Sequence, residues 1–266
     1  TRRNRYIQRM LCAVLRNFNA YHASITVIYD FLHTILKFFL AFFIDDRHLI
    51  FQTVHNQFFH CFSEYTGFPD TSRNYKLTVF SYELLPKYAL LDPEMIMSVP
   101  PMVAASCGID ALIHAWEAYT SLGASPFSDA MAEKAMELIG GNIRRFVANR
   151  KDEEAACAMM SGSMFAGIAF AWARLGDVHA MSHPVSAFFG VQHGVANSIL
   201  LPVIVEYNAL ADHGRYEKIY NYISEDKEPV KDFKPEMLVA EIKKLNASLG
   251  IPKTLSEVGV TEDKIP

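Results

Sequence analysis

Glycine and proline are spread so unevenly along this chain that they set different rules for its two ends. Residues 1–80 contain one glycine, Gly67, and one proline, Pro69, whereas the rest of the chain carries the other 12 of 13 glycines and 11 of 12 prolines. Reversing a backbone draws on these two residues, glycine for positive φ and proline for a preset φ. The front of the chain therefore has few turn signals, and it holds most of the 19 phenylalanines. The rear is punctuated at intervals that suit helices.

Pro100-Pro101 opens a helix predicted to run to Ala118, because proline's fixed φ fits the first turn. Ser125-Pro126 opens a second towards Val147, with Gly140-Gly141 weakening its middle. Lys151-Asp152-Glu153-Glu154 opens a third to Ala173 and sets acids at the positive end of the helix dipole. Further helices are predicted over 177–188, 194–211, 214–224 and 235–248, the last stopped by Gly250 and Pro252. Ahead of them YKLTVF (75–80) and KYALLDP (87–93) read as short strands. The fold class is mainly α: an all-helical domain over 96–266, preceded by an atypical or incomplete α/β portion over 1–95. There is no internal repeat and no low-complexity segment.

Composition removes several function classes. A net charge of −4 and a pI near 6.2 give no basic footprint for nucleic acid. Cys12, Cys61, Cys107 and Cys157 show no CxxC or zinc-ribbon spacing, so they read as reduced thiols of a cytoplasmic protein. The apolar stretch 27–44 is interrupted by Asp30, His33 and Lys37, too soon for a membrane span. The stretch 155–173 has the length but owes its hydrophobicity to Ala, Gly, Ser and Met, which suits a helix packed closely on other helices. No small-residue cleavage site follows a compact apolar core, so no signal peptide is expected, and no membrane partner either.

The chemistry gathers in two places. GDVHAMSHPVSAFFGVQHGVAN (176–197) sets His179, His183 and His193 among small and apolar residues, with Gly190 and Gly194 expected to turn the chain so that His193 returns to the same point. CGIDALIHAWEAY (107–119) sets Asp110 and His114 four apart, on one face of a helix whose neighbours are apolar. An Asp–His hydrogen bond accounts for that pair taken alone. A metal site accounts for Asp110, His114, His179 and His193 together, since imidazole with carboxylate and no thiolate suits Fe2+, Zn2+, Co2+ or Ni2+. A hydrolase using such a cation needs an acidic base. Glu117 is the nearest candidate, though three residues after His114 it reads better as a solvent-facing or salt-bridged helix residue; Trp116 and Tyr119 read as packing.

The same strings resemble the iron-containing, or group III, alcohol dehydrogenases: LLDPEM (91–96), GxDALxHAxEAY (108–119), AGIAF (166–170), VHAMSHP (178–184) and HGVANSILLP (193–202). The likeness runs over roughly 75–266. It implies the family's helical, dehydroquinate synthase-like metal-binding domain, with the ligands falling on Asp110, His114, His179 and His193. It implies Fe2+, with Zn2+ the alternative, and NAD(P) as the hydride partner. A small alcohol or aldehyde is the implied substrate, and a homodimer the implied assembly. His183 matches a position beside the metal near the nicotinamide, where it either shuttles a proton or orients a ligand or a water. Phe170 matches an aromatic position lining the substrate pocket. A divalent cation suits such a reaction because it lowers an alcohol's pKa and polarises a carbonyl.

The likeness departs from the family at both ends. The family binds NAD(P) through a GGGSxxD loop and a segment ending in Gly-Ser-Glu, and neither string is present. Close approach of backbone amides to a pyrophosphate needs residues without a Cβ, and Gly67 is the only glycine before Gly108. No cofactor-binding residue is assigned. TEDKIP (261–266) reads as the start of a terminal helix that the family continues, so the helical domain is expected to be truncated there. Two readings follow: an iron-dependent alcohol dehydrogenase, or a non-catalytic metal-binding remnant that has lost nucleotide binding.

Overall fold

The computed structural model describes residues 65–70, 75–80, 91–226 and 230–262, all within a unit spanning His55–Pro266. The stretch 27–44, Cys12, Cys61 and residues 87–90 of KYALLDP lie outside them, as do residues 263–266 of TEDKIP. Strand β2, Tyr75–Phe80, forms where YKLTVF predicts it and pairs antiparallel with β1, Tyr65–Asp70, which the turn-like YTGFPD did not suggest. Residues 91–93 are not strand; they lead into a short helix α1, Glu94–Met97, because Asp92 Oδ1 accepts the Glu94 N–H and Pro93 fits a helix start.

From there the chain is helical: α2 Pro101–Thr120, α3 Pro126–Ala148, α4 Glu153–Ala173, α5 Asp177–Phe189, α6 His193–Asn208, α7 Arg215–Ile223 and α8 Pro235–Ser248. Several starts follow their local chemistry. Ser125 and Ser128 form a reciprocal capping box ahead of α3, and the Asp152 carboxylate accepts the Ala155 N–H ahead of α4. The predicted 194–211 resolves into α6 and a 3-10 turn, Ala209–Ala211. Helix α3 runs through the Gly140-Gly141 pair unbroken; a Cβ at Gly140 would lie 2.4 Å from the Tyr222 carbonyl, so the glycine admits the end of α7.

Helix α2 occupies the centre. From Ala104 to Tyr119 every residue but Cys107 is buried, the pattern of a helix surrounded on all sides. Its neighbours α3 and α4 meet along a seam of Ala132, Ala135, Met136, Ile139 and Ile143 facing small residues, close enough that a Cβ at Gly162 would lie 2.6 Å from Ile139. Burying a side chain such as Ile139 contributes about 1.5–3 kcal/mol. Charged ties hold the outer helices on: Arg215 pairs with both oxygens of Asp129 at 2.9 Å, and Arg144 reaches Glu241 at 3.1 Å and the Ile223 carbonyl at 3.0 Å.

The helices α4 and α6, the latter with its 3-10 extension, are long and apolar enough to cross a membrane by length and composition. Most of each apolar window is buried inside the fold, and Ala155, Met159, Ala166 and Ala169 of α4 belong to the helical core, as the 155–173 composition predicts.

Candidate metal centre

Three helices converge on one carboxylate oxygen. Helical geometry puts Asp110, His114 and Glu117 on a single face of α2, at positions i, i+4 and i+7. The first turns of α5 and α6 bring His179 and His193 to that face. The Nε2 atoms of His179, His193 and His114 lie 3.4, 3.8 and 4.0 Å from Asp110 Oδ1. Asp110, His114 and His179 each offer a donor atom within 4.8 Å of the other two, and all three are buried. Donors held at roughly 2.1 Å from a shared cation stand about 3.4 Å apart at tetrahedral corners, so these separations are of the right size for a small divalent ion.

The electrostatics point the same way. Burial raises the Asp110 carboxyl, but the His114, His193 and His179 imidazoles outweigh it and hold the group well below the usual carboxylate range. For His179 burial pulls the imidazole down, while Asp110 and Glu117 outweigh that and raise it from 6.5 to about 9. A proton on Nε2 competes with a cation for the same lone pair. The Cys107 thiol, half-buried and near Asp110, is pushed well above its ordinary value by desolvation and by the Asp110 charge and stays a neutral thiol; neither it nor Cys157 is in a disulfide.

The geometry decides between the two sequence readings of Glu117: it is paired with the His179 ring, a partner able to carry charge, and it does not face solvent. Glu117 is neither solvent-facing nor a base waiting for water: it is 5% exposed, its Oε2 lies 2.5 Å from His179 Nδ1 and its Oε1 accepts the Val178 N–H at 2.7 Å. Both oxygens are engaged in holding the start of α5, which leaves a hydrolytic reading without its base. Asn197, one turn beyond His193, was not singled out by the sequence. Its Nδ2 donates to Asp110 Oδ1 at 2.6 Å and lies 3.2 Å from the Nε2 atoms of both His179 and His193, while its buried Oδ1 has no hydrogen-bond partner. The signal for both residues was helical spacing from a residue already identified.

Gly190 and Gly194 serve the site in different ways. Gly190 ends α5 at φ +67°, the left-handed turn expected of it. Gly194 has an ordinary helical backbone, and its role is contact: a Cβ there would lie 2.1 Å from the Ser106 carbonyl oxygen, so only glycine lets α6 close on α2.

Phe170 is buried with its ring 4.7 Å from that of His114. His183, one turn along α5 from His179, is exposed and stacks on His193 at 5.1 Å and 25°. Trp116 and Tyr119 are core residues, Tyr119 donating to Glu133 at 2.7 Å beneath the Arg215 guanidinium.

Residues 104–266 match the profile of the Fe-containing alcohol dehydrogenase family, C-terminal. The 1,3-propanediol dehydrogenase of Citrobacter freundii is 36% identical over 198 residues, 74% of this chain and 51% of the relative. The lactaldehyde reductase of Escherichia coli is 39% identical over 183 residues, 68% of this chain and 47% of the relative. The iron-containing alcohol dehydrogenase of Thermococcus thioreducens superposes with a TM-score of 0.66 at 36% identity, covering 77% of this chain and 51% of that one. The chain thus spans about half the length of the curated relatives it matches.

Proposed function

Because the chain belongs to the Fe-containing alcohol dehydrogenase family, we propose that its helical domain, from about residue 96 onward, binds a divalent cation on Asp110, His114, His179 and His193 and serves the interconversion of a small alcohol and its carbonyl compound. The observation that carries this reading is the approach of three imidazole nitrogens to within 3.4–4.0 Å of one buried carboxylate oxygen. The donor set, three imidazoles and one carboxylate without thiolate, fits Fe2+ or Zn2+. Such a cation supplies Lewis acidity at the substrate oxygen.

The chain's own residues divide the remaining work. His183, exposed and stacked on His193, carries the proton between the reacting oxygen and solvent, a task that suits imidazole because it both accepts and donates near neutral pH. Phe170, packed on His114, walls the substrate side and favours a small alcohol or aldehyde, in keeping with relatives named for propanediol and lactaldehyde. NAD(P) is the family's hydride partner, but Gly67 is the sole glycine before Gly108, so residues 1–95 supply no phosphate-cradling loop of the usual kind. That misfit supports a second reading, a helical unit that binds metal without dehydrogenase turnover. We place the protein in the cytoplasm as a homodimer, a state that sedimentation checks.

Metal content tests the central claim. Purified protein is expected to hold about one equivalent of iron or zinc and Asp110→Ala close to none; equal metal in both would refute the four-ligand site. Titration with NADH then separates the two readings, since saturable binding with alcohol-dependent turnover supports the dehydrogenase and metal without NADH binding supports the second.

A further inference from the structure

We propose that Glu117 is a positioning residue that fixes the orientation and tautomer of His179 and closes the N-terminus of α5, so that cation binding and order in the first turn of that helix are coupled. The inference rests on reading His179 as a ligand. Its starting point is a helix with an incomplete cap: α5 begins after Gly176, which has no side chain with which to accept one of the free N–H groups of the first turn. Glu117 comes from α2 to do this, with Oε1 2.7 Å from the Val178 nitrogen. Its other oxygen takes the His179 ring at Nδ1, 2.5 Å away.

The chemistry of those two partners selects a carboxylate. A backbone N–H is always a donor, and Nδ1 is a donor whenever Nε2 presents its lone pair to the cluster. An ionised carboxylate offers acceptors only, one for each. Glutamine, of the same shape, offers one acceptor and one NH2 group and so leaves a donor facing a donor. With Glu117 only 5% exposed, no bulk water repairs the mismatch. Space is equally restricted, since a Cβ at Gly176 would lie 3.0 Å from Glu117 Oε1. The side chain is thereby fixed between the ring and the backbone of adjacent residues, and turning one displaces the other.

The test uses Zn2+ as the probe, with Glu117→Gln, Glu117→Asp and His114→Ala beside the wild type. Chelator competition is expected to give Zn2+ binding about 10–100-fold weaker in Glu117→Gln, with helical circular dichroism retained. In the Zn2+-loaded, 15N-labelled wild type, His179 is expected to show a protonated Nδ1 and the Val178 amide slow hydrogen exchange; both signatures are expected to be lost in Glu117→Gln. Glu117→Asp keeps the charge and shortens the reach, so it is expected to bind Zn2+ as weakly as the glutamine variant, and it decides the matter if that variant does not fold. Wild-type affinity in either folded variant, with the Nδ1 proton intact, would overturn the proposal. If His114→Ala also binds Zn2+ like the wild type, the four-ligand reading fails and this inference falls with it; if His114→Ala alone loses Zn2+, the positioning role of Glu117 is what fails.

Discussion

The α3–α4 seam and the junction of α2, α5 and α6 are both buried, yet they are held by opposite means. The buried part of the seam is apolar, with the Arg145 pairs to Asp152 and Glu154 confined to its exposed end, so ordering it requires only that volumes match, and Ile139 fills the notch above Gly162. At the junction Asp110, His114, Glu117, His179 and Asn197 are buried, and an unpartnered carboxylate there would be prohibitive. The junction is tolerable because its charged groups are partnered, Asn197 Oδ1 being left over: Glu117 with His179 and Val178, Asp110 with Asn197 and three imidazoles. Apolar burial makes a stable domain, and the polar junction uses some of that stability to present a cluster of donors to one point.

The comparison breaks most visibly if the two regions are damaged in turn. His114→Ala is expected to abolish stoichiometric metal binding, read by elemental analysis, while helical circular dichroism persists. Ile139→Ala, in the seam, is expected to cost about 2–5 kcal/mol in urea unfolding and to leave metal stoichiometry unchanged.

A smaller effect follows from pH. The His179 value of about 9 in the folded protein lies above its ordinary 6.5, so the stabilisation it brings to chelator-treated protein is fully present below about pH 6.5 and is lost as pH rises through 9. Urea unfolding of that form is expected to show it roughly 1–3 kcal/mol less stable at pH 9.5 than at pH 6, while Zn2+ affinity rises over the same window as the competing proton leaves. The smallest effect belongs to the α4–α5 connection. Arg174 sits at φ 72° and ψ 179°, a region used almost only by glycine. Arg174→Gly is expected to raise stability by about 1 kcal/mol, seen as a melting temperature a few degrees higher.

Sequence spacing carried much of this. Helix starts follow Pro101, Pro126, Asp152 and Pro235, whose fixed φ or side-chain oxygen acts locally. Asp110, His114, His179 and His193 stand out because polar groups in apolar segments demand partners. What was harder to read lies in tertiary contact. Glu117 looks like any helix surface carboxylate until α5 covers it, although its place seven residues after Asp110 already put it on the cluster's face. Asn197 was hidden by the ordinariness of an amide, although it stands four residues after His193. Gly194 resembles a turn glycine and is a contact glycine, a distinction that depends on where Ser106 lies.

That contact has a dimensional consequence. With a carbonyl oxygen 2.1 Å from where a side chain would begin, α2 and α6 are separated by backbone against backbone, the one spacing in a protein that no rotamer can adjust. Asp110 stands one turn from Ser106 and His193 stands next to Gly194, so the gap between them is gauged at its base by a rigid spacer rather than by deformable side chains. The spacing of the proposed ligands at this place is set by the thickness of the main chain.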